Sequence, residues 1–212
     1  MSRPSNELLD PIERRKSAMA YDDRKVSAGI LRLVFEAARW APSSFNEQPW
    51  RFIVGTRDDP DAHARVASCL SKGNDWARKA PVLVVAIAST NLSRNGRPNA
   101  YYAHDLGLAL QNLMVQATAL GLASHPMGGF DKEKAAELLQ VPEGYRPMTM
   151  VALGYPGDPA ALSASDRERE LGPRKRKPLD ELIFAGRFGE AAGFASVSQP
   201  NADRNTKTGD LA

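Results

Sequence analysis

The run VLVVAIA at Val82–Ala88 constrains the fold of this chain more than any other stretch. It is far too short to span a membrane, which takes roughly 18 consecutive apolar residues. Its apolar residues occupy both alternating sets of positions, so as a strand it has two faces to hide and must lie centrally, covered on both sides. Pro81 introduces it. The chain has 212 residues, 42% of them hydrophobic. A chain of this length buries roughly 70% of the surface that its unfolded form exposes, so one domain can supply both covering layers without disulfides or a structural metal.

The flanking patterns supply candidates for those layers. From Val26 to Trp40 the residues Ile30, Leu33, Val34, Ala37 and Ala38 keep the three-to-four spacing of one helical face, with Ser27 as cap and Pro42 as stop. Trp50–Val54 is short and rich in aromatic and β-branched residues, which predicts a strand. A long helix is expected from about Ala100, with Leu106, Ala109, Leu110, Leu113, Met114, Ala117 and Leu120 along a broad stripe and Gly121 closing it. Asp131 caps a shorter helix that Pro142 stops, and Met148–Leu153 reads as a third strand. The predicted order is helix, strand, helix or loop, strand, long helix, short helix, strand, which is a mixed α/β domain. It is expected to occupy residues 1–188. The tail 189–212 is rich in Gly, Ala, Ser, Asn and charge, so it is expected either to be disordered or to lie as an arm across a partner.

Composition narrows the function classes. Lys and Arg outnumber Asp and Glu by 28 to 25, so overall charge does not predict nucleic-acid binding. Cys69 is the single cysteine and cannot form an intrachain disulfide, and MSRPSNELLDPIERRKS has no apolar signal core; both point to a soluble, cytoplasmic protein. Neither GxGxxG nor GxxxxGK[ST] occurs, and no HExxH or paired-Cys pattern supports a metal. His63, His104 and His125 show no local acid or nucleophile arrangement and read as structural or surface histidines.

Two basic clusters remain, Arg14, Arg15, Lys16 and Arg174–Lys177. Guanidinium groups form forked hydrogen bonds to phosphate oxygens, and Ser17 can add a donor, so together the clusters could hold one phosphate. Solvated faces are the plainer alternative, and a nucleic-acid patch at RKRK is weakened by Asp166, Glu168 and Glu170. More informative is APSSFNEQPWRF, between a helix end and a strand start. It concentrates Ser43, Ser44, Asn46 and Gln48, uncharged donors and acceptors, between Pro42 and Pro49. Such a loop suits a neutral heteroaromatic or sugar-like ligand; a turn whose side chains satisfy their own backbone is the alternative.

Taken in order, RKSAMAYD, EAARWAPSSFNEQPWRFIV, KGNDWARKAPVLVVAIA, DLGLALQNLMVQATALGLASHPMGGFD, VPEGYRPMTMVALGYP and RKRKPLDELIF resemble the nitroreductase family of FMN flavoproteins, over roughly residues 12 to 185. The resemblance implies an α+β sandwich with a central mixed or antiparallel sheet flanked by helices. It also implies an intimate homodimer with FMN at the subunit interface, NADH or NADPH as donor and a small-molecule acceptor, and neither nucleic acid nor membrane as a partner. It implies that Arg15, Lys16 and Ser17 begin the FMN grip, with Arg174 and Arg176 reaching its phosphate. Ser43, Ser44 and Asn46 would line the flavin and ribityl region, often from the other subunit, with Gln48 in the same loop. Asn74 would meet the pyrimidine edge, and Gly128 and Gly129 would approach flavin N5 through their backbone. Phe45 is a candidate for the substrate slot.

Three departures stand out. Met19 sits where many relatives carry Arg or Lys, a loss that Arg14 could replace. Gly128 stands where some carry Glu, and the loop Thr90–Asn99 is short. The expected reaction is reduction of nitroaromatics, quinones or related acceptors by ping-pong hydride transfer. A dehalogenase or dehydrogenase of the same fold and a non-catalytic flavin-binding dimer are the alternatives.

Overall fold

In the computed structural model, which describes residues 8–195, the elements in chain order are α1 (Asp10–Arg14), α2 (Ala28–Arg39), β1 (Trp50–Thr56), α3 (Pro60–Ala67), β2 (Val82–Ser89), α4 (Tyr102–Ala119), β3 (Ala123–Met127), α5 (Lys132–Leu138), β4 (Tyr145–Gly154) and α6 (Ala164–Leu171). The strands form one antiparallel sheet in the order β1-β2-β4-β3. β2 is an inner strand, with Val84 opposite both Val54 and Val151, and every residue from Val82 to Ala88 is at most 3% exposed. Its alternation divides the core in two. Val82, Val84, Ala86 and Ala88 pack with Val34 and Ala38 of α2 and with Leu106, Ala109, Leu110 and Leu113 of α4. Leu83, Val85 and Ile87 face a second cluster that contains Val66, Trp76, Met127, Phe130 and Ala135. The two-faced apolar run therefore does what its composition predicts, and the α+β sandwich expected from the resemblance is the observed fold.

Local chemistry sets the helix ends. Ser27 Oγ accepts from Ile30 N at 3.4 Å to open α2, and Asp131 Oδ1 accepts from Lys134 N at 2.9 Å to open α5. After α4 the chain turns through Gly121 at φ +77, a left-handed value that glycine adopts without steric cost. The stretch predicted as helix or loop is both. Asp59 caps α3 through Ala62 N at 3.0 Å, and a 3-10 segment, Lys72–Lys79, then leads to β2. α1, β3 and α6 are absent from the sequence prediction. β3 contains Pro126, which an edge strand tolerates because one side of its backbone needs no ladder donor.

The described chain divides between Leu171 and Gly172 into two compact units, and all ten elements belong to the first. Within the second, the described residues include a 3-10 turn at Leu179–Glu181, a bridge between Phe184 and Ala191, and the Phe184 and Phe188 rings 4.6 Å apart. Of the tail expected from Gly189, residues 196–212 lie outside the described ones. Among the described residues no helix is long and apolar enough to cross a membrane.

Candidate functional site

The first group of predicted site residues gathers along β3. Ser17 bridges Ser124 in parallel, which lays the segment after α1 beside this edge strand. Ala18 carbonyl accepts from Tyr21 Oη at 3.0 Å and lies 3.1 Å from His125 Nδ1. Glu170 of α6 fixes the same segment from the other side. Its side chain, 3% exposed, accepts from Met19 N at 2.6 Å and from Lys16 Nζ at 2.7 Å. A carboxylate this buried needs such partners to offset its lost hydration. Lys16 is thus already neutralised by an internal acid. Arg14 lies in α1 with its guanidinium on Asp10, Nη2 to Oδ2 at 2.7 Å, in an exposed pair. Exposed pairs contribute at most about 1 kcal/mol, so that contact is easily exchanged.

Beyond the other end of β3 stands the Gly128–Gly129 turn. Gly129 carbonyl receives Asn74 Nδ2 and Ser71 Oγ, both at 2.7 Å, and Ser71 N at 3.4 Å. Gly128 carbonyl accepts from Phe130 N at 3.2 Å. With both carbonyls engaged, what the turn has to offer an incoming group is N–H, that of Gly129 among them. A Cβ on Gly128 meets nothing within 4 Å, so the space beside its Cα is open.

The second group, Ser43 to Gln48, precedes β1. Its short 3-10 turn holds Phe45 at φ 54 and Asn46 at φ 57, and Gln48 follows at φ 46. Asparagine tolerates the left-handed region, whereas strained positions of this kind cost roughly 1–3 kcal/mol each and persist only where surrounding contacts enforce them. The enforcing contacts are present. Ser44 N donates to Asp105 Oδ2 at 3.0 Å, Gln48 N to Ser43 Oγ at 3.0 Å, and Gln48 Nε2 to Asn46 Oδ1 at 3.0 Å. Ser93 N donates to Glu47 Oε2 at 2.7 Å, the main cause that holds the Glu47 carboxyl below its ordinary range. Arg94 lies 3.9 Å from the centroid of the Phe45 ring. The short loop Thr90–Asn99 therefore closes over this segment. The two sequence readings divide by residue: Ser43 and Gln48 satisfy the loop itself, while Ser44 is anchored to a distant helix. A cavity of about 250 Å³ beside the loop is lined by Glu47, Glu143 and Arg51 among others, a balance of charge that does not favour phosphate.

The sheet keeps the two groups apart within one chain. β1 and β3 are its opposite edges with β2 and β4 between, three strand spacings or about 14 Å. Arg174 and Arg176 belong to the second unit, where both are exposed and Arg176 Nη1 donates to Lys175 carbonyl at 2.8 Å.

Several residues have roles that the sequence reading missed. His104, expected to lack a local acid, lies with Nδ1 3.0 Å from Asp105 Oδ1. The signal was there: Asp105 shares the buried stripe of α4 with Ala109 and Leu113, four and eight residues on, and a carboxylate on such a face needs a reason. Glu170 offers no comparable signal in ASDREREL. His63 and His125 are structural, as expected: His63 Nε2 lies 2.8 Å from Ala80 carbonyl, and His125 packs on Trp76 with ring centroids 4.6 Å apart, where burial lowers its pKa. Met19 is 3% exposed in the second core cluster, so its side chain packs where a cation was expected to be missing.

Known proteins resemble this chain in sequence and in fold. The Nitroreductase family model matches residues 12–72 and 58–155. The chain is 35% identical over 205 residues to Protein DrgA of Synechocystis, covering 84% of this chain and 95% of that protein. It is 28% identical over 173 residues to the FMN reductase (NAD(P)H) of Bacillus subtilis, covering 74% and 68%. A solved structure described as an oxidoreductase containing FMN matches with a TM-score of 0.81 and 35% identity, over 89% of this chain and 96% of that one.

Proposed function

The chain belongs to the nitroreductase family, and on that premise we propose that it is an FMN-dependent oxidoreductase that takes electrons from NADH or NADPH and delivers them to a small acceptor such as a nitroaromatic or a quinone. The carrying observation is the division of chemistry along β3. A cationic, hydroxyl-bearing segment lies beside Ser124 at one end, and a glycine turn, open beside Gly128 and with its carbonyls engaged, follows the other. Ser124 and Gly128 are four strand residues apart, about 13 Å, and a phosphate joined to a flat ring by a sugar-alcohol chain has that polarity. The open space at Gly128 and the donor set of Arg15 and Ser17 fit such a group.

When bound, FMN supplies the hydride chemistry, which removes the need for a dinucleotide-binding turn in the chain. Arg15 and Ser17 would hold the phosphate. Asn74 and the Gly129 N–H would meet the ring, Asn74 with the carbonyl oxygen left over once its amide nitrogen has engaged Gly129. A preorganised N–H beside a reacting ring atom stabilises charge as it develops, at no cost in reorganisation. Ser43, Ser44 and Asn46 would reach the cofactor from a second copy of the chain, since the sheet separates them from β3 in their own. Support for FMN and for NAD(P)H comes from the relative named as an FMN reductase and from the FMN-containing structural neighbour. The alternative of a dimer that binds FMN without turnover draws on Met19, whose side chain is committed to the core.

Anaerobic titration tests the proposal. Protein supplied with FMN should lose its visible flavin band on addition of NADH or NADPH and regain it with a quinone or nitroaromatic. Binding without bleaching supports the non-catalytic alternative, and no binding at saturating FMN rejects both. Arg15→Ala is expected to weaken FMN binding by roughly 1.5–3 kcal/mol, the worth of a hydrogen bond to a charged group.

A further inference from the structure

Asp105 lies in the first turn of α4 with its side chain 2% exposed, on the face that otherwise presents Leu106, Ala109, Leu110 and Leu113 to the core. A small apolar residue there would extend the core, whereas a carboxylate must recover its hydration from partners. It has two. Oδ2 accepts from Ser44 N, and Oδ1 lies against His104 Nδ1, each at 3.0 Å. Ser44 is 61 positions away in sequence and is the residue immediately before Phe45, the first of the three left-handed residues of this loop. Nothing in the composition of SSFNEQ favours that conformation at Phe45 or Gln48, so the turn needs an external hold. Glu47 on Ser93 N secures its far side, and Asp105 secures its opening.

We propose that Asp105 is a positioning residue for cofactor binding: its carboxylate, with one oxygen set against His104, grips the Ser44 N–H and thereby fixes the left-handed turn that aims Ser44 and Asn46 at the flavin. The inference rests on the reading of this loop as flavin-facing. A carboxylate accepts from both partners when His104 Nδ1 carries its proton; an amide of the same shape keeps one oxygen for Ser44 N and turns its NH₂ to His104 in the other tautomer, which replaces a charge-assisted bond to Ser44 N by a weaker neutral one. Asp105 itself touches no cofactor atom in this assignment and acts through the loop.

FMN titration by quenching of flavin fluorescence, with visible circular dichroism of the bound flavin, separates the outcomes for wild type, Asn46→Ala, Asp105→Ala and Asp105→Asn. Asp105→Ala should weaken FMN binding roughly tenfold or more, the scale of a lost charge-assisted hydrogen bond. It should also shift the flavin dichroism in the direction seen for Asn46→Ala, with Asp105→Asn between the wild type and Asp105→Ala. Wild-type affinity and dichroism in Asp105→Ala would overturn the proposal, and so would weaker binding with unchanged dichroism, which is what a merely structural loss produces. If Asp105→Ala does not fold, the isosteric Asp105→Asn decides by the same two readings. If Asn46→Ala moves neither reading, the loop does not face the flavin, and the inference falls with that assignment rather than by itself.

Discussion

Gly128 and Gly129 are neighbours of one residue type in opposite surroundings. A Cβ on Gly128 enters open space, but one on Gly129 comes 2.8 Å from Asn74 Nδ2 and 3.2 Å from Ser71 Oγ. The nearest obstacle is the end of a side chain, so Asn74 would swing aside and give up its 2.7 Å bond to Gly129 carbonyl. Replacing glycine by alanine also stiffens the unfolded chain, by about 0.4–1 kcal/mol wherever the native conformation allows it. That gain is common to both positions and cancels in their comparison. Gly129→Ala should therefore be less stable than Gly128→Ala by about 1–2 kcal/mol, one lost hydrogen bond plus the displacement, as read from denaturant midpoints without added FMN. Equal midpoints would mean that Asn74 does not hold this turn. The same pair separates two reasons for glycine: at Gly129 the protein's own side chains exclude a methyl, while at Gly128 the protein leaves room for one.

Elements whose burial is two-sided or regularly one-sided were legible in the sequence, and those held by one distant contact were not. β2 is legible because both its faces are core, which excludes polar residues along Val82–Ala88. α2 and α4 are legible because a stripe of apolar residues repeats with the helical period. β3 is opaque: ASHPM has no β-branched residue, and its place comes from pairing with β4 and from the Ser17 bridge. α6 is opaque for a stronger reason, since its attachment is Glu170, whose partners Lys16 and Met19 lie 154 and 151 positions away. The candidate site shows the same division. Loop polarity, basic residues and glycines could be read locally, but Asp105 and Glu170, the buried acids behind them, gain their meaning only from tertiary contacts. Glu170→Gln retains an oxygen for Met19 N yet brings an amide NH₂ against the Lys16 ammonium. Because Lys16 is 47% exposed, solvent screens part of the pair. The expected loss is about 1–2 kcal/mol, below the full worth of a hydrogen bond to a charged group, measured by urea unfolding at neutral pH. An unchanged midpoint would show that Glu170 does not anchor α6 to the segment after α1.

The largest-scale consequence follows from sheet order. The loop before β1 and the segment along β3 flank opposite edges of the sheet, so one FMN cannot lie on both groups of a single copy unless it spans two intervening strands. In the proposed dimer, each cofactor rests on Arg15 of one protomer and Asn46 of its partner, and this arrangement has a signature that no arrangement within one chain can imitate. Take Arg15→Ala and Asn46→Ala, each expected to bind FMN poorly as a pure preparation. When the two are unfolded together and refolded, half of the dimers are mixed. Each mixed dimer has one site carrying both substitutions and one carrying neither, because the intact Arg15 belongs to one protomer and the intact Asn46 to the other. Random pairing thus restores about a quarter of all sites to wild-type affinity, a consequence of two-fold symmetry alone. Restoration should appear in FMN stoichiometry at concentrations where neither parent binds, and it should vanish if the two substitutions are placed in one chain and refolded with themselves. If mixing restores no tight sites although both variants refold and exchange, each cofactor draws Arg15 and Asn46 from the same copy, and the assignment of the loop to the partner subunit is wrong.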